Sequence, residues 1–406
     1  MSEKVRRFIS SHWDECIKEN MEDDGTLIGL PYPYTVPAVG HFEEMYYWDT
    51  YFTNKGLEIE GRFAQMKNNT DNILYLVNRY GYMPNGNRTY YLKNSQPPFL
   101  SIMVRDVYEH YMDKVWLTGA FEALKKEYSF WMTRRISPIG LNVYDGYLAL
   151  GADIELANSF KERTGFMPDG NIHDIGRHHL LTCESGWDIN PRWDIEGYNF
   201  VPVDLNSLMF MFETNMRYFS NELEKDETQM WKERAEKRRI LMKKYMETDS
   251  DLFLDYNFVK NKHSKVFSAA SFYPLFAGLA EPENAEALVE NINRLETEYG
   301  ILACEKNESE GTYQWDYPNG WACLHYIVIS GLDKYGYKTE AARIAEKYIN
   351  LVEKVFEETG NIWEKYNVVD GNLNVHHESK KKMPAMMGWS AGVYLAALEY
   401  IKKRGC

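Results

Sequence analysis

Residues 339–360 read TEAARIAEKYINLVEKVFEETG. Ile344, Tyr348, Leu351, Val352 and Val355 fall on one face of a helix, Thr339 reads as its N-cap and Gly360 as its stop. Residues 283–299 repeat the pattern through Ala285, Leu288, Val289, Ile292 and Leu295, between Pro282 and Gly300. The same periodicity predicts helices near 4–19, 46–59, 63–80, 99–113, 117–135, 204–220, 226–246, 268–279, 320–335 and 388–404. Between them lie segments rich in Gly, Pro, Asn, Asp and Tyr, at 31–45, 82–98, 137–148, 163–203, 300–319 and 360–387. Strand-like alternation is short and rare, as at 252–258. No Pro/Ser-rich linker or fixed-period repeat divides the chain. The expectation is therefore one all-α domain over residues 1–406, with function carried on long loops. Two concentric rings of helices, an α/α barrel, fit this pattern. So does an open solenoid, which periodicity alone does not separate from a barrel.

The chain of 406 residues carries a net charge of −14, which argues against a nucleic-acid or anionic-membrane surface. No apolar run is long enough to span a membrane. Five scattered cysteines form no C-x-x-C pair, and the charged opening, MSEKVRRFISSHWDECIKEN, lacks the apolar stretch of a signal peptide. These features together give the expectation of a reduced, cytoplasmic setting. Aromatic residues make up 15% of the chain, a surplus that suits both a large core and a pocket that stacks sugar faces.

Four loop segments concentrate rings beside polar groups: 40–52 (GHFEEMYYWDTYF), 84–99 (PNGNRTYYLKNSQPPF), 184–194 (ESGWDINPRWD) and 313–321 (YQWDYPNGW). Rings cover the apolar faces of a sugar, while carboxylates and amides bind its hydroxyls. In isolation each segment also reads as a helix-capping turn plugged by Trp; four in one chain point to a shared pocket.

The four segments resemble, in order, the signatures of the trehalase family of glycoside hydrolases. Tyr46 to Phe52 matches the YYWDSYF core, Pro84 to Phe99 the PNGNR–SQPPF stretch, Glu184 to Trp193 the ESGWD segment, and Gln314 to Ala322 the QWDYPNGWA segment. Trp363 to Asn367 is similar to a later VEKYD stretch. The resemblance implies an (α/α)6 barrel that hydrolyses an α-glycosidic bond with inversion. It implies Asp188 as general acid and Glu364 as general base. It further implies substrate contacts from His41, Phe42, Tyr46, Trp48, Asp49, Asn85, Arg88, Asn94, Gln96, Glu184, Gly186, Trp187, Arg192, Gln314, Trp315, Asp316, Asn319 and Trp389.

The residues agree with that pairing on chemical grounds. Inversion needs one carboxylic acid to protonate the leaving oxygen and one carboxylate to activate water, about 6.5–9.5 Å apart. Such a pair comes naturally from loops distant in sequence, as 188 and 364 are. Trp187 and Trp193 flank Asp188, an apolar setting that favours its protonated form. Lys365 follows Glu364, and its direction is not legible in the sequence.

The departures concern the substrate. His41 stands where the family has an Arg, and Asn94 where it has a second. The family's R-P-E segment has no recognisable counterpart in 141–183, and its final glycine-rich stretch is replaced at 382–390. The segment WDINPRWD is also similar to that of hydrolases acting on glucosylglycerate and mannosylglycerate. The reading is therefore an inverting α-glycosidase for a small α-linked disaccharide or glycoside, with altered contacts to the leaving group. A sugar isomerase or epimerase on the same barrel and a binding-only relative are the alternatives.

No nucleotide-binding glycine loop and no nucleophilic-serine elbow occur, and no cofactor is expected. His173, Asp174, His178 and His179 cluster without zinc spacing, so no metal is expected either. The expected partner is a small carbohydrate, not nucleic acid or membrane.

Overall fold

The computed structural model describes residues 1–146, 151–377, 383–385 and 388–404. Fourteen α-helices occupy these residues. They are α1 (Ser2–His12), α2 (Tyr47–Ile59), α3 (Phe63–Tyr80), α4 (Leu100–Tyr111), α5 (Lys114–Arg134), α6 (Ala152–Thr164), α7 (Ile172–Glu184), α8 (Val203–Glu222), α9 (Thr228–Met246), α10 (Tyr273–Ala277), α11 (Pro282–Glu290), α12 (Ala322–Lys334), α13 (Lys338–Thr359) and α14 (Gly388–Arg404).

Successive contacts trace an inner ring α2–α4–α8–α10–α12–α14 that returns to α2. Inner helices are buried on nearly every side: ten of the thirteen residues of α2 are buried, among them Asp49 and Asn54. Outer helices bury a single stripe. In α13 the buried set contains all five positions that the sequence marks, Ile344, Tyr348, Leu351, Val352 and Val355. Its left-handed cap is Gly360, as expected, but it begins two residues earlier than Thr339 implies, behind Tyr337. The result is an (α/α)6 barrel and not an open solenoid.

Closure depends on two glycines. A Cβ on Gly392 would lie 2.1 Å from the Phe52 carbonyl oxygen, and one on Gly56 would lie 2.7 Å from the Gly392 Cα. The first and last inner helices therefore meet backbone to backbone.

Several sequence expectations are corrected. The helix at 283–299 ends at Glu290 and passes into a 3-10 turn at Ile292–Arg294. The stretch 268–279 is a 3-10 turn followed by a helix of five residues. The helix near 4–19 stops at His12. Only Tyr256–Asn257 of the alternating 252–258 forms a strand. The segment 163–203, read as loop, contains α7, while α6 precedes it over residues with no predicted element. In α7 the buried positions include His178, His179, Thr182 and Glu184, so its inward face is polar in sequence and hides the apolar period. In α6 only Ala157, Phe160 and Thr164 are buried, too few to mark a stripe. α6 and α7 pack on each other as a hairpin inserted between α5 and α8.

Candidate active site

One loop end of the barrel encloses a cavity of about 360 Å³. All four ring-rich loops and the Trp363–Asn367 stretch reach it. The QWDYPNGW loop ends in a short antiparallel pairing, Asn319–Trp321 with Lys365–Asn367, in which Trp321 lies opposite Lys365. This ladder delivers Glu364 to the cavity wall. Asp188 arrives from the turn after α7, and it too lines the cavity.

That turn requires Gly186. Its φ is +74°, and a Cβ would lie 2.6 Å from the Trp48 indole. Trp48 in turn joins a tryptophan floor: Trp315 stacks flat on Trp321 at 3.8 Å, and Trp48, Trp187 and Trp389 pack around them at 5.2–5.7 Å. Trp389 donates its indole N–H to the Glu364 carbonyl at 3.1 Å, and Ser390 donates its hydroxyl to the Trp363 carbonyl at 2.7 Å. The backbone of Glu364 is thereby fixed from two directions.

The Lys365 ammonium turns toward the acid next to it, 2.5 Å from Glu364 Oε2. It is fully buried, reaches His377 Nδ1 at 2.8 Å and lies over the Trp321 ring. Oε2 is occupied by this cation, which leaves Oε1 of Glu364 as the oxygen available to a water.

Asp49 lies at the base of the cavity, 7% exposed. Burial pushes its carboxyl up to about 7, opposed by a backbone N–H and reinforced by the negative charges of Glu364 and Asp188. Three carboxyl groups thus share one enclosure. Asp188 accepts from Arg163 of α6 at 3.3 Å.

Of the expected contact residues, Phe42, Tyr46, Trp48, Asp49, Asn85, Asn94, Gln96, Gly186, Gln314, Trp315 and Trp389 line the cavity with the two acids. Gln96 accepts from the Trp48 backbone N–H at 3.2 Å, which spends its carbonyl on the scaffold and leaves the amide nitrogen for a ligand.

The other expected contacts lie elsewhere. Glu184 is fully buried, bound bidentately by Arg135 at 2.8 and 2.9 Å and by the backbone N–H groups of Ser95 and Asp145. Arg192 is also buried, held by Asp204 at 2.6 Å and Asp255 at 2.9 Å, with Trp187 and Trp193 on its faces. Both belong to the scaffold because each buried charge needs its full set of partners. Trp187 is buried behind Trp315. Asn319 clamps the His376 backbone with both ends of its amide. Asp316 accepts from Asn307, and burial pushes it up to about 6. Arg88 pairs with Glu44 at 3.5 Å outside the cavity lining. His41 is exposed and lines a neighbouring recess with Trp363 and Pro384.

The histidine cluster divides. His178 and His179 are buried, and burial lowers the first to about 3 and the second well below its usual value. His178 Nδ1 accepts from the Gly197 N–H. His173 lies on the surface against Asp153.

The sequence reading missed Pro37, Tyr90, Tyr91, Lys93, Leu156, Arg163, Leu180, Cys183 and Trp321 in the lining. Tyr90, Tyr91, Lys93 and Trp321 sit inside the ring-rich segments 84–99 and 313–321. Arg163 and Leu156 could not be found that way, because no motif covers α6.

The trehalase family matches residues 3–402. A periplasmic trehalase of Pseudomonas aeruginosa is 32% identical over 418 residues, covering 96% of this chain and 75% of the relative. The neutral trehalase of Saccharomyces cerevisiae superposes with a TM-score of 0.77 at 28% identity, covering 97% of this chain and 80% of its own. A Thermus thermophilus mannosylglycerate hydrolase, solved with glucose, superposes with a TM-score of 0.67 over 98% of this chain. At 16% identity it shares the fold.

The comparisons overturn the cytoplasmic expectation, since curated relatives matching nearly the whole chain are named periplasmic trehalases. The cysteine argument fails for a physical reason. Cys16, Cys304 and Cys323 are free thiols sealed in the core, so their state carries no information about the redox poise outside. With the barrel, the loop order and the match over residues 3–402 together, the chain belongs to the trehalase family and is a glycoside hydrolase.

Proposed function

We propose that the protein hydrolyses a small α-linked glucoside of the trehalose type with inversion, Asp188 acting as general acid and Glu364 as general base. The observation that carries this reading is that the two carboxyls line one cavity from loops 176 residues apart, with Asp49 sensing both charges. Relatives named trehalases support the substrate class.

In this reading the sugar at the cleaved bond lies against the tryptophan floor. Asn85, Gln96, Gln314 and Asp49 meet its hydroxyls. Glu364 is oriented by Lys365 through Oε2, and Oε1 takes a proton from the attacking water. The Asp188 carboxyl gives its proton to the departing oxygen, and its negative charge is then stabilised by Arg163.

Asp188→Asn and Glu364→Gln should each lower kcat by about 10²–10⁴-fold with an unchanged unfolding transition. The double variant should cost little more than either single one, because the two act as a unit. Near-normal turnover in either variant would remove that residue from the mechanism.

A further inference from the structure

We propose that the pocket accepts an α-glycoside whose leaving group carries an anion, a carboxylate or a phosphate, held by Lys93 and Arg163. The inference rests on the glycosidase reading above and names its substrate more closely.

Lys93 lines the cavity and is half-buried. Among the described residues it makes no hydrogen bond and no ion pair. That is unusual in this chain of net charge −14. Lysines comparably placed are paired: Lys55 with Asp106 at 2.7 Å, Lys347 with Glu296 at 2.6 Å and Lys365 with Glu364 at 2.5 Å. An ammonium drawn into a pocket wall without a carboxylate partner is poised for an anion that arrives with the ligand.

The second cation comes from the inserted hairpin. Arg163, 15% exposed, lines the same cavity and donates to Asp188 at 3.3 Å. Leu180 and Cys183 of α7 and Leu156 of α6 complete that wall. The Lys93 carbonyl oxygen lies about 3.5 Å from where a Cβ on Gly146 would stand, and that Cβ would meet Leu180. The Lys93 main chain therefore borders the α7 wall, and its side chain lines the same cavity as Arg163. Consistent with this, both of their charges bear on buried His179.

The wall also carries Asp188, so the anion-binding side is the side from which the leaving oxygen receives its proton. That places the charge on the leaving group and not on the sugar whose bond is cut. Asn85, Gln96 and Gln314 line the cavity as neutral partners for hydroxyls, so the ammonium of Lys93 is the group left for a charge. An anion would also compete with Asp188 for Arg163.

The test is steady-state kinetics on two matched pairs that differ in charge: trehalose with trehalose 6-phosphate, and glucosylglycerol with glucosylglycerate. The charged member of one pair should be preferred at least about tenfold in kcat/KM, as expected for one charge-assisted contact. The pair that shows the preference tells phosphate from carboxylate. Raising salt should weaken the preference. Lys93→Gln should reduce the charged-to-neutral ratio about tenfold while the thermal midpoint stays in place.

Preference for the neutral member in both pairs, or an unchanged ratio in Lys93→Gln, would overturn the proposal. If none of the four is cleaved, the glycosidase reading fails separately. Calorimetric titration with glucose 6-phosphate against glucose, and glycerate against glycerol, then decides the anion claim. Binding of a charged ligand that Lys93→Gln abolishes upholds it, and equal binding of charged and neutral ligands defeats it.

Discussion

Gly186 shows how tightly a single position couples fold to chemistry. Its left-handed backbone and its contact with Trp48 set the turn that aims Asp188. Gly186→Ala should cost about 1–3 kcal/mol and lower kcat, because strain and the Trp48 clash displace the acid together. Chemical denaturation and kcat on the same preparation would check both. Asp49 supplies a pH signature. Burial and its carboxylate neighbours raise it to about 7, so it is neutral below that pH and charged above it. The kcat/KM profile should carry an inflection near pH 7 that Asp49→Asn removes. At this scale the sequence was legible where a motif residue points into the cavity, as Asp188, Glu364 and Trp48 do. It misled where a motif residue serves the scaffold. Arg192 and Glu184 look like ligand binders in one dimension, and only burial among Asp204, Asp255 and Arg135 assigns them otherwise.

The α6–α7 hairpin is the element that sequence reading could not see. Its inward histidines count as polar by composition but are held neutral by burial, so the apolar period disappears. The hairpin matters because it contributes a cation and three further wall residues to the cavity. The ladder between Asn319–Trp321 and Lys365–Asn367 was equally hidden, since pairing between residues 44 to 48 positions apart leaves no local pattern. The outer helices, by contrast, could be read directly, and α13 buries the stripe its sequence marks. The link between α7 and α8 depends on Arg192, which ties the start of α8 to Asp255. Arg192→Met would leave two buried carboxylates without their cation. It should destabilise the protein by about 3–5 kcal/mol, read as a shift of the denaturation midpoint.

At the scale of the molecule, the inner ring closes through Gly56 and Gly392, and the main hydrophobic cluster runs from Val5 to Ala397, with two smaller ones beside it. We infer that the described residues unfold together, as one domain would. Glu127 gives this unit a pH dependence. It is buried, accepts from the Tyr47 hydroxyl at 2.6 Å, and burial raises it to about 8 from 4.5. Its protonated form is the folded one, so its contribution is full below about pH 4.5 and is lost as pH rises through about 8. Glu127→Gln should therefore gain on the wild type by about 2–5 °C in thermal midpoint between pH 5 and pH 8.

The fold and the family place the chain among glycoside hydrolases; the stereochemistry tests how its two acids are used. Proton NMR of the enzyme mixed with trehalose, recorded before mutarotation, reports the anomers as they are released. The account predicts equal amounts of β- and α-glucose at first appearance, one from each half of the disaccharide. Release of α-glucose alone would mean retention and would contradict the assignment of Asp188 and Glu364 as acid and base.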